Sequence, residues 1–219
     1  MLKYGNNTSS FKPEKLHKLN VDRQSASLIE NGSRVLEIGC ATGFMGEYLI
    51  KNKNCTVIGV ELGQDEAAIA KKKLTKVLIG NIESDIIKRE INALGKFDVV
   101  FASALLEHLK DPWDALKTWK KFLKKGGYIV ISTSNIAHWS MRLKILKGEF
   151  AYQEYGILDN THLRFFTYKT FQDLMKECGF SIEYLGIDPV GGGYPKISKI
   201  GSKIFPNLFA YQMVIKARA

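Results

Sequence analysis

Two carboxylates and a glycine-rich turn carry most of the chemistry legible in this chain. The segment Val35-Leu-Glu-Ile-Gly-Cys-Ala-Thr-Gly43 leads an apolar run straight into glycines at 39 and 43. Glycine lets the backbone turn sharply and approach a ligand closely. A helix that begins at such a turn aims its N–H groups at the ligand. Several nucleotide-binding proteins share that much. Glu37, two residues before Gly39, narrows the choice. A carboxylate there repels a pyrophosphate and suits a ligand carrying an ammonium and a sulfonium. Glu61 closes the next apolar run, 22 residues after Gly39. At that place a carboxylate can accept hydrogen bonds from both hydroxyls of a ribose. The dinucleotide glycine pattern would need Gly at 41 and 44, where the chain has Ala41 and Phe44. A P-loop is excluded, since no Gly-Lys-Ser/Thr follows.

The histidines supply candidate bases, because imidazole titrates near neutral pH. His162 stands in Gly156-Ile-Leu-Asp-Asn-Thr-His-Leu-Arg-Phe-Phe-Thr167 and is the first candidate, with Asp159 and Arg164 beside it as substrate-side polar groups. His108, in Glu107-His-Leu, is the second. Either could instead order its loop through hydrogen bonds. His138 with Trp139 is a weaker substrate candidate that could simply begin a helix. Tyr155, Tyr152, Phe165 and Phe166 could stack on a ring or form a small core of their own. His17 is assigned no chemical role.

These residues need a scaffold of alternating elements. Strands are expected at Val35–Ile38, Thr56–Glu61, Val77–Ile79, Phe97–Phe101 and Tyr128–Thr133. Helices are expected at Gly43–Asn52, Gln64–Lys73, Pro112–Leu123 and Thr170–Cys178, the last ending at Gly179. Two final strands, Phe180–Ile187 and Phe209–Ala217, are joined by a Gly- and Pro-rich loop at Pro189–Pro206 with no helix between them, so they can pair antiparallel at one edge. The fold expected is α/β: a doubly wound, mostly parallel, seven-stranded Rossmann-like sheet with an antiparallel edge strand. One domain is expected over 1–219. It comprises a helical lead-in (1–32), a cofactor-binding core (33–133), a substrate or lid insertion (134–169), and a C-terminal helix with edge strands (170–219). The insertion follows the carboxyl end of a strand, where open sheets bind ligands.

Composition sets the outer limits. The 219 residues are 45% hydrophobic and 25% charged, as in a globular protein. Cys40, Cys55 and Cys178 are an odd, widely spaced set, against a disulfide framework or a zinc site, and no metal is expected. With no signal-like start and no run near the roughly 18 apolar residues that cross a bilayer, the expected location is the cytoplasm. The net charge of +10 allows an anionic partner, but lysine runs such as Lys71–Lys73 suit solvated helix faces. Nucleic acid is disfavoured as a partner, a small-molecule acceptor is favoured, and a homodimer is left open.

Taken together the motifs resemble those of class I S-adenosylmethionine-dependent methyltransferases, over about residues 33–133. Val35–Gly43 resembles the first motif, with Ala41 in place of a glycine, and Val57-Ile-Gly-Val-Glu61 the second. Gly80-Asn81-Ile82 stands at the third, with Asn81 where Asp is usual. Phe97-Asp-Val-Val-Phe-Ala-Ser103 with Leu106-Glu-His-Leu-Lys-Asp-Pro112 resembles the fourth, and Leu123-Lys-Lys-Gly-Gly-Tyr-Ile-Val-Ile131 the turn and strand after it. Ala41 is tolerable if its backbone angle is negative, and the Asn81 carbonyl can still accept from an adenine amino group.

The resemblance implies S-adenosylmethionine as methyl donor and S-adenosylhomocysteine as product. Glu37, Gly39, Cys40, Ala41, Gly43, Ala102 and Ser103 would surround the methionine part. Glu61 would hold the ribose, and Leu62, Asn81 and Ile82 would frame the adenine. Residues 156–167 resemble a signature of a subgroup tied to bacterial cell-surface glycans and secondary metabolites, which points to a sugar or nucleotide-linked sugar acceptor. A quinone or aromatic ring is the alternative acceptor. A non-catalytic donor-binding or scaffold protein is the alternative from another class.

Overall fold

The apolar runs become strands because each can bury both faces. Side chains of a strand alternate between faces, and helices cover the two sides. In the computed structural model, which describes residues 11–189, 200–202 and 204–219, the strands are β1 (Arg34–Ile38), β2 (Thr56–Glu61), β3 (Lys76–Ile79), β4 (Phe97–Ser103), β5 (Leu123–Ser134), β6 (Ser181–Asp188) and β7 (Gln212–Arg218). They form one seven-stranded sheet in the order β3-β2-β1-β4-β5-β7-β6. β1 to β5 are parallel neighbours, and β7 runs antiparallel to both β5 and β6. Antiparallel pairing at this end of the sheet is therefore present, with β7 one place inside the outermost β6. The Pro189–Pro206 loop lies largely outside the described residues, but the expectation of no helix between the last two strands fails: Pro206–Phe209 is helical, Pro206 standing in the first turn, where its missing N–H costs nothing.

The helices described are α1 (Val21–Leu28), α2 (Phe44–Lys53), α3 (Gln64–Ala70), α4 (Asp85–Ala93), α5 (Pro112–Phe122), α6 (Trp139–Leu146), α7 (Tyr168–Glu177) and the short α8 (Pro206–Phe209). One face of the sheet packs Leu36, Val100 and Ile129 against Ile87 and Ile91 of α4, Trp119 of α5 and Phe171 of α7. The other packs Val35, Val57 and Val99 against Ala26 of α1, Leu49 of α2 and Ala67 of α3. The sequence reading missed α4, a short, charged stretch. Its apolar face is essentially Ile87 and Ile91, one turn apart, and Ser84 caps it by accepting from the Ile87 N–H.

The 134–169 insertion is α6 plus a tight turn at 156–162. Met141, Ile157 and Leu158 make a small buried core with Ile136, Phe165 and Tyr211 packed on it. Tyr155 and Tyr152 are exposed. Among the described residues no helix is long and apolar enough to cross a membrane.

Candidate active site

A pocket of about 840 Å³ opens at the carboxyl ends of β1, β2 and β4. Strand order places Glu61 on the β2 side of β1 and the residues after β4 on its other side. The turn after β1 is held by backbone bonds. Gly39 and Cys40 N–H groups donate to the Val60 carbonyl at 2.8 and 3.1 Å, and the Gly43 N–H to the Cys40 carbonyl at 2.8 Å. Gly39 and Gly43 both sit at φ 72°. The condition set for Ala41, a negative backbone angle, is not met, because its φ is 46°. Its N–H donates to Glu61 Oε2 at 2.7 Å, and this bond with the closed turn holds the residue left-handed.

Glu61 is fixed by three backbone donors. Besides Ala41, the Leu62 and Gly63 N–H groups reach Oε1 at 2.8 and 2.9 Å. A carboxylate offers about four acceptor positions, so capacity is left for a ligand hydroxyl. Glu37 differs. It is buried, and its Oε2 has no hydrogen-bond partner among the described residues. Burial pushes its carboxyl up to about 8, the nearby Glu61 charge adds to this, and the Gly46 backbone amide opposes it. A Cβ at Gly46 would lie 2.4 Å from that Oε2, so α2 can approach only with glycine there. Cys40 also lines the pocket, and burial followed by the charges of Glu37 and Glu61 drives its thiol far up, leaving it un-ionised.

Leu62, Asn81 and Ile82 line the same pocket. The Asn81 Oδ1 already accepts from the Glu83 N–H at 2.8 Å, so one lone pair remains for a ligand amine. Ser103 lines the pocket and pairs with the Ser132 hydroxyl at 2.8 Å. Ala102 is fully buried within the sheet and does not line it; the wall there is Ser103, Ala104 and Leu105. Gly43 does not line it either. It caps α2 and packs close to Ala70 and Leu74.

The histidines separate clearly. His108 is half-buried and lines the pocket, and burial lowers its basicity first of all, with Glu107 opposing. His162, the first candidate for the base, is buried and off the pocket wall. Its Nδ1 faces the Ile157 carbonyl at 3.0 Å, and its ring stands edge-on to His108 at 4.7 Å. The turn at 156–162 has to fold inward to bury its apolar residues, and it takes His162 with it.

His138 is fully buried, caps α6 by accepting from the Ser140 N–H, and is pushed down to about 4 by burial. Neither it nor Trp139 lines the pocket. Asp159, Tyr155 and Arg164 do not line it either, although Thr161 and Leu163 of the same segment do. Arg164 is exposed and donates to the Lys110 carbonyl at 2.6 Å.

Sequence reasoning missed Asn20 and Asp22 of the lead-in, and Gln212 of β7, all of which line the pocket. The signal for the first pair was faint: Asn20 accepts from the Asp22 and Arg23 N–H groups as the cap of α1. Burial, then the Asp188 charge, raises the Asp22 carboxyl to about 6.

This geometry has relatives. A methyltransferase-domain family matches residues 12–185. A "ubiquinone biosynthesis O-methyltransferase" of Acinetobacter baumannii is 29% identical over 157 residues, covering 68% of this chain and 64% of that protein. The match thus spans less than two thirds of that relative's length. A protein of the same name from Marinobacter nauticus is 26% identical over 202 residues, covering 88% of this chain and 81% of that one. Among solved structures, a SAM-dependent methyltransferase from Archaeoglobus fulgidus superposes with a TM-score of 0.61 at 21% identity, covering 90% of each chain. One from Mesorhizobium loti gives 0.62 at 16% identity, covering 95% of this chain and 100% of that one. Those two likenesses carry the fold alone. With the family match over most of its length, the chain belongs to the class I S-adenosylmethionine-dependent methyltransferases.

Proposed function

We propose that this protein methylates a hydroxyl on a small acceptor, with His108 as the base. The observation that carries the reading is one pocket lined by Glu37, Glu61 and His108 together. The donor suits the residues present. A buried carboxylate oxygen without a partner is costly unless a cation or donor meets it, and Glu37 Oε2 is such an atom. Glu61 retains acceptor capacity for the ribose hydroxyls. Gly39 brings backbone to the pocket, where a Cβ would crowd Leu105 at 3.2 Å.

When bound, S-adenosylmethionine supplies a methyl group on a sulfonium, and the C–S electron pair returns to sulfur as S-adenosylhomocysteine leaves. The pocket's own tasks are orientation and one proton transfer. His108 takes the acceptor's O–H proton as that oxygen forms its bond to the methyl carbon, and later releases the proton to water. Leu105, Leu109 and Leu163 form an apolar wall alongside His108. That wall, and the names carried by the relatives, favour a hydroxylated aromatic or quinone-like ring over a sugar. The test is a screen of catechol-type and nucleotide-sugar acceptors for release of S-adenosylhomocysteine, alongside calorimetry with S-adenosylmethionine. Absence of donor binding at millimolar concentration sinks the reading. Turnover with sugars alone overturns the aromatic acceptor.

A further inference from the structure

His108 Nδ1 lies 3.0 Å from the Thr161 hydroxyl oxygen. That hydroxyl donates to Asp159 Oδ1 at 2.6 Å. The same carboxylate oxygen accepts the Thr161 backbone N–H at 2.8 Å, and Asp159 is fully buried. A hydroxyl has one proton to give. With that proton committed to the carboxylate, the oxygen facing His108 can only accept. Nδ1 then has to carry the ring proton, and a neutral imidazole so protonated has its lone pair on Nε2. The other tautomer would set two lone pairs against each other at the 3.0 Å contact.

We infer that Asp159 and Thr161 are positioning residues that lock His108 as its Nδ1–H tautomer and leave Nε2 as the basic nitrogen for the acceptor hydroxyl. The inference rests on the reading of His108 as the base. It gives Asp159 a role at one remove from the pocket it does not line. The relay is itself held rigidly. Asp159 N–H donates to the Gly156 carbonyl at 3.1 Å and His162 N–H to the Asp159 carbonyl at 3.0 Å. Glu107 ties the two loops together. Its carboxylate accepts from the Thr133 hydroxyl at 2.8 Å and the Ser134 N–H at 3.2 Å, and its backbone carbonyl accepts from the Leu163 and Arg164 N–H groups at 2.7 and 3.0 Å. Burial acts most strongly on His108 and lowers it; Glu107, Asp159 and the Thr161 backbone carbonyl favour its protonated form, and the His162 charge opposes it. The Nδ1 of His162 faces a carbonyl, so it bears its own proton and packs against His108 without competing for the Thr161 oxygen.

The test reads the tautomer directly. Protein labelled with ¹⁵N-histidine is examined by long-range ¹H–¹⁵N correlation at about pH 8, above the ordinary histidine range. The His108 signals are assigned by their loss in His108→Gln. The wild type is expected to show Nδ1 protonated and Nε2 bare. Thr161→Val and Thr161→Ala, at an exposed position where both keep the fold, are expected to move the population toward Nε2–H, and Thr161→Ser to restore the original state. A wild-type His108 protonated on Nε2, or a tautomer unmoved by both Val and Ala, overturns the inference. Calorimetry with S-adenosylhomocysteine on the same samples keeps the two readings apart. A wild type that does not bind it fails the methyltransferase reading whatever the tautomer, and a wild type that binds it but carries the wrong tautomer fails this inference alone.

Discussion

Replacing Glu37 with Gln removes a titration that the fold holds far from its usual place. Glu37 is buried with Oε2 unpartnered, and its carboxyl is raised from 4.5 to about 8, chiefly by burial. A raised folded-state value means the folded protein holds this proton more tightly than the unfolded chain does. The stability it contributes is fully present below 4.5 and is lost as pH rises to about 8. One pKa unit corresponds to about 1.4 kcal/mol, so between about pH 5 and about pH 7 the wild type loses about 2–3 kcal/mol that the Gln variant keeps. Urea unfolding of both proteins across this range measures the gap between them. The gap is expected to widen in favour of Glu37→Gln as pH rises. Parallel profiles would refute the reasoning, because they would mean the carboxylate is solvated or paired. The same substitution is expected to abolish binding of the ammonium-bearing donor, so stability and function move in opposite directions at one residue.

Other consequences follow from the same geometry. Calorimetry of donor binding to the wild type near pH 6.5 in buffers of different ionisation enthalpy is expected to show proton release from Glu37; no release counts against a cation beside Glu37. Glu61→Ala is expected to weaken donor binding by about 1–3 kcal/mol, the scale of a charged hydrogen-bonding partner; an unchanged affinity refutes its ribose role. His108→Gln is expected to keep donor affinity while turnover falls roughly a hundredfold, the usual range for a general base. Wild-type turnover is expected to fall only below the ordinary histidine range, since burial lowers His108 and the neutral ring is the active form. Ala41→Gly relieves a left-handed Ala and is expected to raise stability by up to about 1 kcal/mol in urea; a loss would show that the Ala41 methyl group matters to packing.

The core of the fold was readable because its signals are local. Val35–Gly43 states a buried strand, a turn and a helix start within nine residues. Glu37 and Glu61 fall at or near strand ends whose register sets them on neighbouring strands of one pocket. α4 escaped notice because nine residues with two buried isoleucines make a thin pattern. The backbone angle at Ala41 escaped because a hydrogen bond to Glu61, 20 residues away, decides it.

The chain's own order of residues thus determined the sheet, the glycine turn and the two carboxylates, since each depends on neighbours a few positions away. Only the tertiary structure shows which histidine meets the pocket. His108 and His162 stand in equally polar motifs, 54 residues apart, and nothing local says which ring meets the pocket. The 156–162 turn buries its apolar residues in the insertion's small core, which draws His162 inward and lays Thr161 against His108. Lead-in and last strand reach the pocket by the same kind of long-range closure. The Asp188 carboxylate accepts the Val21 N–H, and β7 inserts between β5 and β6 to set Gln212 at the rim. Burying apolar surface between distant segments sets these placements, and that free energy has no signature in any short window of sequence.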